Sequence, residues 1–285
     1  VHIHVYIINA EKIRLQNGHL AYGSFRWFPK RTPIIRVASA IEEDLLNKYT
    51  PEEIYEQILS SLVHELTHYY QWIEKLEQDY AIDQFQNALS TSTIQQRVRT
   101  ELENIQDESQ WMRTLRILRA RLMFRWIWQD VNQMTDVVTL TRELSDFADA
   151  SINAAKDFAR IPLVAKHGEP IGYTGYVQDL IVVAMGKLGA QELNLSSDID
   201  LIFAFDEQGE TNGRKCIDVQ QFCILWGQKI IYLLEHITAD GFVFRVDMRL
   251  RPWGDGSALA ISHVALEKYL SQHGREWERY AWIKA

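Results

Sequence analysis

Residues 181–205 read IVVAMGKLGAQELNLSSDIDLIFAF, and this stretch decides the fold. An apolar run, Ile181 to Met185, ends at Gly186. Twelve residues on, Asp198-Ile199-Asp200 heads a second apolar run that ends at Phe205. The pattern predicts strand, glycine turn, short helix and strand. Alternate residues of a strand point the same way, so Asp198 and Asp200 share one face. Two carboxylates placed together repel unless a cation neutralises them, and Mg²⁺, a hard ion that takes carboxylate and phosphate oxygens, is the natural occupant. A third carboxylate, Asp247, lies in VFRVDMRLRP on another expected strand, followed by Arg249 and Arg251. Guanidinium groups suit phosphate. Taken singly, each part has a plainer reading as a surface Asp-x-Asp, an ordinary turn or a solvated strand edge. Their order along the chain is what carries the chemistry.

The order glycine, Asp-x-Asp, distant aspartate resembles the layout of the DNA-polymerase-beta-type nucleotidyltransferases, which implies nucleotidyl transfer with two metal ions. More narrowly, GKLGAQELNLSSDIDLIFAF, DGFVFRVDMRLRPWGDG and HGREWERYAWIKA resemble the glutamine synthetase adenylyltransferase/adenylyl-removing enzyme family, in particular its N-terminal, adenylyl-removing half. The resemblance runs over residues 75–285 and is closest from Trp111 to Ala285. It implies a phosphorolase: orthophosphate attacks the phosphodiester joining AMP to a tyrosine of glutamine synthetase, releasing ADP. It makes Asp198, Asp200 and Asp247 the catalytic carboxylates that hold Mg²⁺. It puts Gly186, Lys187, Ser196, Ser197, Arg249 and Arg251 on the phosphate and nucleotide side. ATP-dependent adenylylation by the same carboxylates is the alternative direction. The implied partners are adenylylated glutamine synthetase, nucleotide, orthophosphate and a signalling protein of the PII type. The chain departs from the family pattern at two places. Ala190 stands where a glycine is usual, and Gly256-Ser257-Ala258 replaces the usual Ser-Gly-Pro order.

The chain has 285 residues, 47% of them hydrophobic, enough for one large domain or two. Its net charge of −8 argues against a non-specific nucleic-acid binder. No apolar run reaches the roughly 18 residues of a membrane-spanning helix, so no membrane partner is expected. Cys216 and Cys223 fall seven residues apart on one expected helix, about two turns apart and out of disulfide reach. Both are expected to be reduced and buried, in a cytoplasmic protein. The N-terminus lacks a basic-then-apolar leader, and a fragment of a longer protein is expected.

The fold class expected is α+β, in three parts. Residues 1–72 read as a small antiparallel sheet plus a helix that begins at Thr50-Pro51-Glu52-Glu53, a cap with proline at the first helical position. Residues 73–165 read as helical. There Leu115, Leu118, Leu122 and Ile127 form a core stripe, and Arg113, Arg116, Arg119, Arg121 and Arg125 form a basic face. Residues 166–285 read as a nucleotidyltransferase α/β core, truncated at its C-terminus. Its strands are expected at 180–185, 199–205 and 242–248, and its helices at 187–193, 217–237, 263–272 and 274–284. In the last helix Trp277 and Tyr280 pack inward, or Arg275 meets substrate.

The first part holds a second motif, His64-Glu65-Leu66-Thr67-His68. Histidines four apart share a helix face and can bind one Zn²⁺, with Glu65 as general base. Residues 1–72 thus resemble part of an H-E-x-x-H zinc metallopeptidase. A catalytic zinc needs a third protein ligand. Glu74 and Asp79 follow too closely for that role, so a composite chain joined near Tyr70 to Leu76 is expected. His2, His4 and His19 read as ordinary sheet surface.

Overall fold

The computed structural model describes the strand backbones His4–Ile8, Ile13–Arg14, Leu20–Ala21, Gly23–Phe28 and Arg31–Ala38, the single residues Leu62 and Phe85, and residues 87–285. The chain divides into two compact units, Val1–Gln86 and Asn87–Ala285. The expected helix start at Thr50–Glu53, the motif His64–His68, Glu74, Asp79, His2 and His19 lie outside the described residues.

In the first unit, β1 (His4–Ile8), β4 (Gly23–Phe28) and β5 (Arg31–Ala38) form a sheet in the order β1-β5-β4. β2 (Ile13–Arg14) and β3 (Leu20–Ala21) form an antiparallel pair. The sheet is mixed rather than antiparallel. β4 and β5 make the expected antiparallel hairpin, but β1 runs parallel to β5, with His4 opposite Ile34. Apolar alternation signals that a strand forms and says nothing of the direction its neighbour runs.

The second unit opens with three helices, α1 (Thr91–Leu102), α2 (Glu108–Val131) and α3 (Val137–His167). Each starts at a polar cap: Ser90, Asp107 and Asp136 accept from the backbone N–H groups of Thr93, Gln110 and Thr139. On α2, Trp111, Leu115, Leu118, Leu122 and Trp126 are buried. Ile127, expected in this stripe, is exposed because it lies five residues past Leu122, off the face that Trp126 continues.

The α/β portion is built around β8 (Ile199–Phe205). β7 (Ile181–Met185) lies antiparallel on one edge. β10 (Val246–Asp247) and β11 (Ala260–Ser262) lie parallel on the other edge, one after the other. β6 (Pro170–Gly172) and β9 (Gly209–Thr211) form a separate antiparallel pair. The helices here are α4 (Gly186–Gly189), α5 (Val219–Glu235), α6 (His263–Gln272) and α7 (Glu276–Ala281), followed by a 3-10 turn, Trp282–Lys284. Helices and strands of this unit share one apolar core, from Ile94 on α1 to Ala260 on β11. Among the described residues no helix is long and apolar enough to cross a membrane.

Several expected elements are shorter than the sequence pattern suggested. The helix at 187–193 is the single turn α4, because Gln191 takes a left-handed conformation (φ 58°) and ends it. The strand at 242–248 is the two-residue β10, because the Val243 and Phe244 N–H groups donate to Leu234 O, at 2.8 and 3.2 Å, and leave the sheet. α5 begins only after its cap, Asp218. Cys216 therefore precedes the helix and is exposed, whereas Cys223 is buried. Trp277 and Tyr280 are exposed, not packed inward. Arg275 serves the start of α7 instead: its N–H donates to Glu278 Oε2 at 2.7 Å, and its carbonyl accepts from Arg279 at 3.1 Å.

The basic face of α2 is also broken, since Arg116 and Arg125 are buried. Arg116 reaches between elements, donating to Gly241 O (2.8 Å), Met112 O (3.0 Å), Leu233 O (3.2 Å) and His236 O (2.6 Å). Leu233 and His236 sit at the C-terminal end of α5, where unpaired carbonyls attract a cation. Arg125 donates to Asn87 O.

Candidate functional site

Asp200 sits near the start of β8 with Met185 opposite it on β7 and Asp247 opposite it on β10. Side chains of directly opposed residues stand on the same sheet face, so Asp200 and Asp247 are neighbours and Asp198 shares their side. The Asp200 carboxyl is held above the ordinary aspartate range, first by burial, then by the charges of Asp247 and Asp198; Arg249 and Lys187 partly offset this. Asp247 is held below that range, chiefly by hydrogen bonds from Arg249. Arg249 Nε lies 2.8 and 3.0 Å from the two Asp247 oxygens, and its backbone N–H donates to Oδ1 at 2.8 Å.

Gly186 is the turn that the sequence predicted. Its φ is 61°, a conformation glycine takes without strain, and a Cβ there would lie 2.8 Å from Asp200 Oδ2. Lys187 Nζ donates to Ser197 Oγ at 3.3 Å. Asn194 ties this loop together, accepting from Ser197 Oγ (2.8 Å) and Ser196 N (3.1 Å) on its Oδ1. The helix that follows, α4, is a single turn.

Arg251 acts on the site through its charge, which helps hold Asp247 below the ordinary range. Its Nη1 donates to Met248 O at 2.8 Å, and it lines a cavity of about 200 Å³ with Phe203 and Gln220. Phe203 belongs to the β8 face opposite Asp200. The two departures from the family pattern fit the backbone. Ala190 takes φ −80° and ψ 0°, open to any residue. The Ser257 hydroxyl lies 2.6 Å from Pro252 O and 2.8 Å from Gly254 O, closing its own loop.

The residue that sequence reading missed is Arg245. It pairs with Asp198 through Nε, and its Nη2 donates to Ser196 O at 2.7 Å. Arg245 lies two residues before Asp247, and two-residue spacing on one strand was the signal that could have found it. Its guanidinium carbon lies 5.8 Å from the Phe242 ring centroid, and that of Arg119 lies 5.2 Å from the same centroid. Burial first, and the Arg245 charge second, push the Arg119 guanidinium down.

Among the described residues, no three His, Cys, Asp or Glu side chains close around a common point for a metal. Asp198 faces Arg245 and Asp247 faces Arg249, so guanidinium groups supply the positive charge the carboxylates require. The donor set itself fits Mg²⁺: three hard carboxylates on one face, the middle one crowded by the negative charge of the other two.

The profile of the glutamate-ammonia ligase adenylyltransferase family matches residues 56–285, which includes the His64–His68 motif. The bifunctional glutamine synthetase adenylyltransferase/adenylyl-removing enzyme of Acinetobacter baylyi is 83% identical over 210 residues, covering 74% of this chain and 23% of that protein. The enzyme of the same name from Hahella chejuensis is 50% identical over 186 residues, 65% of this chain and 19% of its own length. That from Neisseria meningitidis serogroup B is 51% identical over 185 residues, 65% and 21%. The chain spans about a fifth of the length of these curated relatives. With its acidic strand pair, its glycine turn and a profile match over most of its length, the chain belongs to the glutamate-ammonia ligase adenylyltransferase family.

Proposed function

We propose that the chain carries a nucleotidyl-transfer centre that acts on glutamine synthetase in the adenylyl-removing direction. The observation that carries this reading is the pairing of Asp200 with Asp247 across β8 and β10, with Asp198 on the same side, in a chain 83% identical over 210 residues to an enzyme of that name. An oxygen of orthophosphate forms a bond to the phosphorus of AMP. The bond from phosphorus to the tyrosyl oxygen breaks, that oxygen takes a proton, and ADP leaves.

Asp198, Asp200 and Asp247 are the residues that would hold Mg²⁺, which when bound would supply positive charge to the phosphate oxygens. Lys187 and Arg249 neutralise charge developing around phosphorus, Arg249 exchanging Asp247 for a phosphate oxygen. Gly186 leaves the backbone space beside Asp200, and Ser196 and Ser197 present hydroxyls on the loop before the acidic pair. The relatives' name is bifunctional, and this favours a second reading, ATP-dependent adenylylation by the same carboxylates. A PII-type signalling protein is the proposed regulatory partner and the cytoplasm the proposed compartment, both on the resemblance. A zinc peptidase role for His64, Glu65 and His68 is a separate proposal, tested by stoichiometric zinc that His64→Ala removes.

The test compares wild type with Asp200→Asn for Mg²⁺-dependent ADP release from adenylylated glutamine synthetase and orthophosphate. A loss on the order of a hundredfold or more is expected. Wild-type rates in Asp200→Asn overturn the assignment. Pyrophosphate release from ATP and unmodified glutamine synthetase, without ADP release from the adenylylated form, selects the second reading.

A further inference from the structure

The inference concerns Arg245 and rests on the metal reading proposed above. Arg245 immediately precedes β10, two residues before Asp247, and its carbonyl accepts from Ile199 N at 2.9 Å, so its backbone is fixed against the start of β8. From there its guanidinium holds two groups of the preceding loop, the Asp198 carboxylate and the Ser196 carbonyl. The Phe242 ring lies beside it, and that ring also carries Arg119 of α2. Asp198 therefore has a built, directional, charged partner. The Arg245 and Asp198 side chains are 48% and 46% exposed, so the pair can open to solvent. An ion pair of this exposure is of modest strength, within reach of competition by a divalent cation.

We infer that Arg245 is a positioning residue that occupies Asp198 in the metal-free state and competes with the divalent ion for it. The same contact to Ser196 O keeps the acidic loop ordered while the ion is away. Metal binding then exchanges Arg245 for the ion at Asp198, so the arginine sets the metal concentration at which the centre fills.

The test is direct titration of the chain with Mn²⁺ alone, followed by electron paramagnetic resonance of the free ion, with no nucleotide present. Arg245→Met keeps the stem and removes the charge; it is expected to tighten Mn²⁺ binding by about fivefold, the upper range for a half-exposed pair. Arg245→Lys retains a cation and is expected to bind Mn²⁺ as wild type does. Loss of a merely structural contact would loosen the loop and weaken binding, so tightening is the discriminating sign. In an Asp198→Asn background Arg245→Met is expected to change nothing. Tightening that persists there reports long-range charge removal and overturns the inference, as does unchanged or weaker binding in Arg245→Met alone. Asp200→Asn separates the two readings. Mn²⁺ binding that survives Asp200→Asn overturns the metal site itself. Binding that Asp200→Asn abolishes and Arg245→Met leaves unchanged overturns only the role of the arginine.

Discussion

Gly186, just past the end of β7, approaches Asp200 of β8 so closely that a methyl group on Gly186 would fall 2.8 Å from Asp200 Oδ2. Gly186 also sits at φ 61°, where side chains are strained. Gly186→Ala therefore meets two penalties at once, one of backbone and one of contact with the central carboxylate. The expected result is a stability loss of about 1–3 kcal/mol and a fall in turnover out of proportion to it. Urea denaturation alongside the ADP-release assay checks both. Normal turnover would show that the Asp200 side chain turns aside without consequence.

Arg116 ties α2 to the end of α5 through Leu233 O and His236 O, and its donors also reach Gly241 O and Met112 O. Arg116→Met fills a similar volume and leaves those carbonyls without their charged donor. A loss of about 2–4 kcal/mol is expected from several charge-assisted hydrogen bonds removed together. Chemical denaturation measures it, and a change below 1 kcal/mol would mean that water replaces the guanidinium without cost.

Gly227 lies on α5 against β8, where an added Cβ would stand 2.6 Å from the Phe203 ring. Both residues are in the core, and overpacking there costs about 1–3 kcal/mol. Gly227→Ala is expected to lose that much, and the double variant Gly227→Ala/Phe203→Leu to recover part of it. A double-mutant cycle with no coupling would exclude the clash.

The two cysteines differ by environment. Burial, then the charges of Asp179 and Asp218, push the Cys223 thiol up to about 12, whereas Cys216 is exposed. At pH 8 only about one Cys223 in ten thousand is thiolate. Native protein is expected to give one rapidly reacting thiol with a disulfide reagent, lost in Cys216→Ser, and a second only on unfolding. The unfolded thiol releases its proton at lower pH than the folded one, so the contribution of Cys223 is present below about pH 8.5. It is lost as pH rises toward 12, at about 1.4 kcal/mol per unit. Cys223→Ala is expected to flatten the alkaline limb of the stability curve by one proton.

The acidic strand was legible because its signal is local. β8 spans Ile199–Phe205, as the apolar run from Ile199 to Phe205 predicts, and Gly186 takes the left-handed turn. α6 likewise has the expected bounds, His263–Gln272. What failed was set by partners distant in sequence. Leu234 O takes the N–H groups of Val243 and Phe244 and shortens β10, which no pattern within 242–248 reveals. Arg116 reads as surface charge until the end of α5 and Gly241 come to meet it. Arg249 was expected at phosphate, yet it holds Asp247, and Arg245, for which no role was expected, holds Asp198. A sequence gives the sign of a charge but not the group it faces.

The pairing of Asp200 with Asp247 joins residues 47 apart on parallel strands with α5 in between. A parallel pair cannot close through a tight hairpin and must wait for its crossover. The acidic centre is therefore a late product of chain collapse, dependent on contacts of high sequence separation. Divalent-ion affinity should then appear with the last phase of refolding, which makes the carboxylate cluster a reporter of folding completed.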